Sequence, residues 1–426
     1  LGSETRVFVD VTALFALARS TGIQRVVRTI IGDPPALDLV AFDPALGGYR
    51  LVSQLPQATE RADSHLRRHS RGVLRFLSYL LWLFLGLLLA PVANTSPFQR
   101  FKREAGRVYS RFFGEVTIHG DISGPPVSLE KLGYLWLLDI PKTPAHMAFL
   151  RNQVVESSVV FGVYVYDLIP VDSPELISAP DRLTLIRQYK EYLEIVSRAN
   201  RVLCLSDYTL RRLTAYSKSR GFEFHSPPSV VYPPLVQSME SARQGPSKRQ
   251  EGGFPKRILG LAPLNKRKNL QVVLRAVRRL LQSGVDADLI LVVPILSAVH
   301  LPTALLAVWM TFRYPKKVKL TGPVSHETLV ELHRWADVVV VPSRSEGFGL
   351  PIVEALSAGK PVVASACTSF VELARFLPIH LADPDSPSDW ASALQAVDFD
   401  QDQDISFSSV LTDPEEFRKR LFPKSH

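Results

Sequence analysis

The chain has 426 residues, 46% hydrophobic, 21% charged and 9% aromatic, which fills sizeable cores and excludes a mainly disordered or fibrous protein. At about 100–200 residues per domain, this length predicts two or three domains. Net charge is +9, and the two cysteines, Cys204 and Cys367, exclude a disulfide framework or a Cys-rich zinc site and fit a reducing compartment.

The first elements are a buried strand over Arg6–Thr12 and a helix over Thr21–Ile31. No basic-then-apolar leader precedes the strand, so no signal peptide is expected. The basic charge is concentrated further on. Arg61 to Arg111 holds ten Lys/Arg against two acids, Asp63 and Glu104, most of the chain's excess. It brackets Phe76–Ala93 (FLSYLLWLFLGLLLAPVA), eighteen consecutive uncharged residues. A nucleic-acid binder would spread basic residues along an interface among exposed aromatics, so no nucleic-acid partner is expected.

That stretch is long enough to span a bilayer, but one crossing would put the strands before and after it on opposite sides of a membrane. Positive charge on both flanks also gives no orientation bias. The favoured expectation is an insertion that dips into one leaflet, with Tyr79 and Trp82 as interface anchors. Arg67, Arg68, Arg71, Arg75, Arg100, Lys102 and Arg103 would then lie against anionic headgroups. A buried core helix or a dimer interface is the alternative.

Short β-branched runs then alternate with helix-length segments: strand Val159–Leu168, helix Asp181–Arg198, strand Arg201–Ser206, a helix from Asp207, strand Val230–Tyr232. Val236–Pro255 is rich in Ser, Gln, Gly and Lys and reads as a linker. The rhythm restarts with RILGLA, a helix over Asn269–Ser283, DLILVVP, VKLTG, a helix over Ser325–Ala336, VVVVPS, a helix from Pro351, and PVVAS. Continuous apolar strands between helices predict parallel sheets covered on both faces. The fold class is α/β, with two Rossmann-like doubly wound domains. The boundaries are 1–235 (with a basic, hydrophobic insertion at about 61–125), a linker 236–255, 256–397, and an acidic linker and closing helix over 398–426. Asp398–Asp404 fails as an EF-hand, because Gln403 and Ser409 stand where Gly and Glu are needed.

Chemistry concentrates in Val338–Ser365. A strand ends at Ser343, a loop carries Glu346, Gly347 and Gly349, and a helix starts with Pro351 in its first turn, where proline is tolerated. Glycines permit close backbone approach, and a helix start suits a phosphate or diphosphate. Glu354 sits one turn into that helix. Two carboxylates beside an anion site call for hydroxyl partners such as those of a nucleotide sugar. An ordinary strand–turn–helix with Glu354 on the helix dipole is the competing reading.

The frame S-x-x-E-G-F-G-L-P-x-x-E-A-x-A/S-x-G-x-P-V-V, with Glu346-x7-Glu354, resembles the signature of family 4 glycosyltransferases of the GT-B fold. LGLAPLNKRKNL, VKLTGPVSHETLVELHRWADVVVVPS, VYVYDLIPVDSPE, RVLCLSDYTLRRL and VVYPP match other family segments in order. The resemblance covers 159–235 and 256–397 well, 1–60 weakly, and 61–125 not at all. It implies two domains facing a cleft, the C-terminal one holding a nucleotide diphosphate sugar, and a retaining hexosyl transfer to a saccharide or lipid-linked acceptor in surface polysaccharide or glycan synthesis. GDP-mannose is the first donor expected. By position Lys268 contacts the diphosphate, Glu346 orients the hexose and Glu354 binds the ribose. Gly347, Phe348, Gly349 and Leu350 would lie at the donor, and Asp167 would touch acceptor or donor sugar, unless it only caps its turn. Gly22 is expected to approach the donor closely, and Arg25 to supply a nearby charge on the acceptor side.

Two positions depart from the family pattern. Ala262 replaces a common arginine, so Lys266 or Arg267 would supply the second cation. Tyr166 replaces a histidine, so no imidazole base is available there. Asp383-Pro384-Asp385 is explained by turn chemistry, and no metal or other cofactor is expected. Localisation would be cytoplasmic, attached peripherally to the membrane's inner face, and a homo-oligomer is left open. The alternatives are a catalytically silent GT-B scaffold or partner subunit and, less compatible with these carboxylates, a GT-B epimerase.

Overall fold

The computed structural model describes residues 6–16, 22–32, 37–55, 57–58, 118–119, 122, 124–141, 143–177, 182–235, 239–243, 257–293, 300–397 and 405–421. The apolar stretch Phe76–Ala93 and the flanking Arg67, Arg68, Arg71, Arg75, Lys102 and Arg103, with Tyr79 and Trp82, lie outside the described residues. No helix among the described residues is long and apolar enough to cross a membrane.

The N-terminal strands are β1 (Val7–Asp10), β2 (Asp38–Asp43), β3 (Gly48–Leu51), β4 (Gln57–Ala58), β5 (Ile118–His119), β6 (Pro126–Val127), β7 (Tyr134–Leu137), β8 (Val160–Val165), β9 (Arg201–Cys204) and β10 (Ser229–Val230). The C-terminal strands are β11 (Arg257–Leu261), β12 (Asp288–Val292), β13 (Val318–Thr321), β14 (Val338–Val341), β15 (Val362–Ser365) and β16 (Ile379–Ala382). The N-terminal sheet runs β10-β9-β8-β7-β1-β2-β3-β6, parallel from β10 to β2 and antiparallel at β3 and β6. The C-terminal sheet runs β13-β12-β11-β14-β15-β16, parallel throughout. β4 and β5 form a separate antiparallel pair.

Helices on both faces explain why strands such as β14, four valines, are buried along their length. The helix Leu270–Gln282 shows the complementary pattern. Leu270, Val273, Leu274, Val277 and Leu280 are buried at helical spacing, with arginines between them facing out. In the C-terminal sheet the strand order reverses between β11 and β14, and in the N-terminal sheet between β7 and β1. In open α/β sheets such switch points open a crevice at the carboxyl ends of the strands, where ligands bind.

The segment expected to be a plain linker is partly structured. Met239 is fully buried, its N–H donates to Ser357 Oγ at 3.1 Å, and Glu240–Ala242 forms a short 3-10 turn. The closing helix, Pro414–Leu421, returns to the N-terminal half. Trp136 Nε1 donates to Leu421 O at 2.8 Å, and Arg418 Nη1 to Ile30 O at 2.9 Å. One hydrophobic cluster, including Val9, Tyr164, Leu205, Phe348, Phe370 and Phe417, runs through both halves.

Candidate active site

After β11 the chain turns through Asn265–Asn269 before the helix Leu270–Gln282. Asn265 Oδ1 accepts from Lys268 N at 2.8 Å, and Asn269 adopts the left-handed region at φ 50°, which asparagine tolerates better than most residues. This turn carries Arg267 and Lys268 toward the loop that follows β14. Arg344 N donates to Arg267 O at 2.8 Å, which ties the two loops together. Arg267 Nη1 reaches Glu346 Oε2 at 2.8 Å and Ser345 O at 3.1 Å, while Lys268 Nζ is ion-paired with Glu346 Oε1.

These neighbours set the ionisation. Burial alone would raise the Glu346 carboxyl, but Arg267 and Lys268 outweigh it and hold it down at about 2. Burial lowers the Lys268 ammonium despite Glu346 beside it. Arg267 is likewise disfavoured by burial, yet Glu346 and Asp167 raise it on balance. The result is a carboxylate bracketed by two half-buried cations at the switch point between β11 and β14. An incoming polyanion can compete with Glu346 for both.

Glu346 leads into a tight loop. Gly349 has φ +136°, and a Cβ there would lie 2.9 Å from Phe370 Cε1, so both backbone and space require glycine. The helix Leu350–Ser357 starts at once, with Pro351 in its first turn. The loop is held from behind by Thr368, whose hydroxyl donates to Glu346 O at 3.2 Å, and by Ser369, which donates to Glu346 O at 3.0 Å and Phe348 O at 2.7 Å. Thr368 sits at φ +32°, a strained conformation for a β-branched residue.

Glu354, 4% exposed, pairs with Arg25 Nη1 at 2.8 Å. Arg25 comes from the helix Gly22–Ile31 of the N-terminal domain, so the pair bridges the cleft. Burial raises the Glu354 carboxyl on balance, with Arg25 opposing it. The residue expected on the acceptor side and the one expected at the ribose are thus a single ion pair.

The halves also meet at Gly347. A Cβ there would lie 2.0 Å from Tyr166 O and 3.0 Å from Asp167 Cβ, so only glycine admits the approach. Gly347 O accepts from Ser206 Oγ at 2.8 Å, and Tyr166 O accepts from Thr209 Oγ1 at 3.2 Å. Asp167 Oδ1 accepts from Ile169 N at 3.0 Å, a turn contact. Burial raises its carboxyl, with the Arg267 charge opposing, so Asp167 joins the Arg267–Glu346 group while also shaping its turn.

Other expected site residues are placed differently. Gly22 lies near Leu350, but a Cβ there would meet Leu350 Cδ1 at 3.5 Å, an ordinary contact. Phe348 and Tyr166 turn their rings into the interdomain core, 3% and 5% exposed, against Tyr232 and Tyr164 respectively. Neither side chain faces the cleft. Asp383-Pro384-Asp385 is a turn, with Asp383 Oδ1 accepting from Asp385 N at 2.8 Å. Among the described residues no His, Cys, Asp and Glu group has metal-binding proximity. Cys204 and Cys367 are buried and free, and burial pushes each thiol up to about 12.

Sequence reasoning missed Glu372 among the residues that close the cleft and named Lys266 only as an alternative second cation. Glu372 accepts from Asp207 N at 3.0 Å and Tyr208 N at 2.6 Å, at the start of the helix Asp207–Arg220 in the other domain. Lys266 donates from Nζ to Glu175 O at 3.1 Å, also across the cleft, at the mouth of a pocket of about 270 Å³ shared with His300 and Arg344.

Residues 255–397 match the family model described as Glycosyl transferases group 1. A D-inositol 3-phosphate glycosyltransferase of Corynebacterium kroppenstedtii is 32% identical over 39% of this chain and 38% of that protein. One from Actinosynnema mirum is 29% identical over 48% and 50%. The chain therefore spans half or less of these curated relatives. Among solved structures, Anabaena Alr3699/HepE in complex with UDP and glucose superposes with a TM-score of 0.50 at 15% identity, over 68% of this chain and 77% of that chain. The two facing parallel-sheet domains are the GT-B fold.

Proposed function

We propose, for a chain whose residues 255–397 match the family model of group 1 glycosyltransferases, that it moves a hexose from a nucleotide diphosphate sugar to a saccharide acceptor with retention of configuration. The observation that carries this reading is the half-buried Glu346 carboxylate held by Arg267 and Lys268 beside a helix start, with Glu354 one turn further on. The donor diphosphate would take over Lys268 and Arg267 and release Glu346 toward the hexose hydroxyls. The N–H groups near Gly349 and Leu350 would share the diphosphate charge. Glu354, already placed by Arg25, would accept from the ribose. As the bond from the anomeric carbon to the leaving phosphate oxygen breaks, that oxygen takes the acceptor hydroxyl's proton. The new glycosidic bond forms on the same face. This chemistry asks for stabilised phosphate charge rather than a strong side-chain base, consistent with a buried tyrosine at position 166. No metal is assigned a role, and transfer is expected to survive EDTA.

The reading extends to GDP-mannose as donor and a lipid-linked acceptor, with the basic Arg61–Arg111 stretch on an anionic cytoplasmic membrane face and a homo-oligomer left open. The names of the relatives add an inositol phosphate to the acceptors worth testing. The experiment is a panel of GDP-, UDP- and ADP-sugars scored by thermal shift and nucleotide release, with inositol phosphate and lipid-linked saccharide acceptors. One donor should stabilise the protein and release nucleotide. Binding without release or transfer would instead favour the silent scaffold, and no binding by any nucleotide sugar would sink the donor-site assignment.

A further inference from the structure

Away from the cleft, the helix Leu301–Arg313 (LPTALLAVWMTFR) has its side-chain sizes reversed. Its inner face is Thr303, Ala304, Ala307 and Met310, all buried. Its outer face carries Leu301, Leu305, Trp309 and Phe312, which are 36%, 53%, 42% and 58% exposed. Arg313 is the one charged residue of the thirteen. Those four positions fall on one stripe of a helix, about 16 Å long at about 1.5 Å per residue. A water-facing helix puts its large apolar groups inward and polar ones outward, and one that is apolar all round is normally covered on every side.

The charge beside the stripe identifies the cover. Arg278, exposed on the neighbouring helix Leu270–Gln282, lies 4.7 Å over the Trp309 ring, and Arg313 lies 4.9 Å over Tyr314. Leu270 to Lys319 holds seven Lys/Arg and two acids. Both acids, Asp286 and Asp288, pair with Lys317, so the field along the stripe is positive. A single convex helix face flanked by cations matches a fluid anionic surface, which needs no complementary shape. The stripe also begins beside the cleft mouth, where His300 N donates to Leu264 O at 2.7 Å.

We propose that the helix Leu301–Arg313 lies in the interface of an anionic bilayer. Its outer face sits at the headgroup–acyl boundary, and Arg278, Arg313 and Lys316 lie against anionic headgroups. This surface belongs to the C-terminal domain and stands whether or not the chain transfers a sugar.

The test uses the full chain and vesicles of equimolar phosphatidylcholine and phosphatidylglycerol, with phosphatidylcholine alone as the neutral control. Flotation is combined with quenching of tryptophan emission by brominated lipid. Wild type should float with the anionic vesicles and show quenching. Trp309→Phe introduced into Trp82→Phe should still float but lose most of the quenching that Trp82→Phe retains. Leu305→Ser combined with Phe312→Ser should lower the partition coefficient at sub-saturating lipid about five-fold or more, whatever the Arg61–Arg111 stretch contributes to binding. Unfolding midpoint and nucleotide binding should be unchanged, because these side chains lie outside the core and the donor site. Equal partition coefficients for wild type and the Leu305→Ser, Phe312→Ser double variant, no flotation of wild type, or quenching in Trp82→Phe that the added Trp309→Phe leaves undiminished would overturn the proposal. So would a wild-type dimer that the double variant converts to monomer, since a second copy would then be the cover.

Discussion

At Gly347 a single methyl group decides whether the two domains can meet. The obstructing atom is Tyr166 O, a backbone carbonyl on the opposite domain, and it cannot rotate away as a side chain would. Gly347→Ala should cost about 1–3 kcal/mol by overpacking and sharply reduce turnover. Gly22→Ala, whose Cβ meets only a leucine methyl at 3.5 Å, should fall within about 0.5 kcal/mol of wild type. Chemical denaturation of the two variants checks this, and equal stability would show that the halves do not close on Gly347.

Glu346 makes a second residue-scale prediction. Its folded carboxyl is held at about 2, against an ordinary value of 4.5. The group therefore contributes its full stability above 4.5 and loses it as pH falls toward 2. Relative to Glu346→Gln, wild type should be more stable near neutral pH by an amount on the order of 3 kcal/mol. The gap should shrink through the acid range, and a pH-independent difference would contradict the ion-pair account.

Glu346, Glu354, Gly349 and Lys268 are expected together from the sequence because one strand–loop–helix and one neighbouring turn carry them, and the structure brings Glu346 and Lys268 into contact. Arg25 as the partner of Glu354 is not expected, since the two are 329 positions apart and nothing local links them.

Among the elements, those with a strong period of their own were read correctly, and those whose reason lies in tertiary packing were not. β14 and the helices Leu270–Gln282 and Asp207–Arg220 carry continuous valines, an apolar stripe or a serine cap, and all fall within a residue or two of expectation. β2 and β7 were not read, although each pairs with β1 in the middle of the N-terminal sheet. β7, YLWL, has no β-branched residue, so it lacks the signature by which the equally short β9, β14 and β15 are legible. The helix Leu301–Arg313 was missed for the opposite reason, as apolar residues all round leave no face to detect.

The helix Asp207–Arg220 shows how packing completes what sequence begins. Ser206 caps it locally, accepting from Thr209 N, and Glu372 of the other domain accepts from the two preceding N–H groups, where the helix dipole favours negative charge. Glu372→Ala should cost about 1–2 kcal/mol and weaken domain closure, read as slower turnover at saturating donor. Unchanged stability and rate would mean that Glu372 only accompanies closure.

Across the whole molecule, the last described helix ties the chain beyond the C-terminal sheet back onto the N-terminal domain. The chain leaves the C-terminal sheet, and the helix Pro414–Leu421 docks on the N-terminal half. Phe417, fully buried, meets the Tyr164 ring edge-on at 5.1 Å, and the helix's last carbonyl takes the Trp136 indole N–H. Tyr164 in turn packs on Tyr166, whose carbonyl lies against Gly347. The tail therefore supports, through two aromatic rings, the wall on which the Glu346–Gly349 loop packs. Phe417→Ala should cost about 3–5 kcal/mol, the usual penalty for emptying an aromatic site in a core. That loss falls mainly on the N-terminal half, because the cavity opens against β8 rather than against the C-terminal sheet. Calorimetry should show wild type unfolding in one transition. In Phe417→Ala the N-terminal half should separate into an earlier transition, while a nucleotide that binds the C-terminal domain still raises the later one. A single, undisplaced transition in the variant would show that the tail rests on the N-terminal half without coupling the two domains.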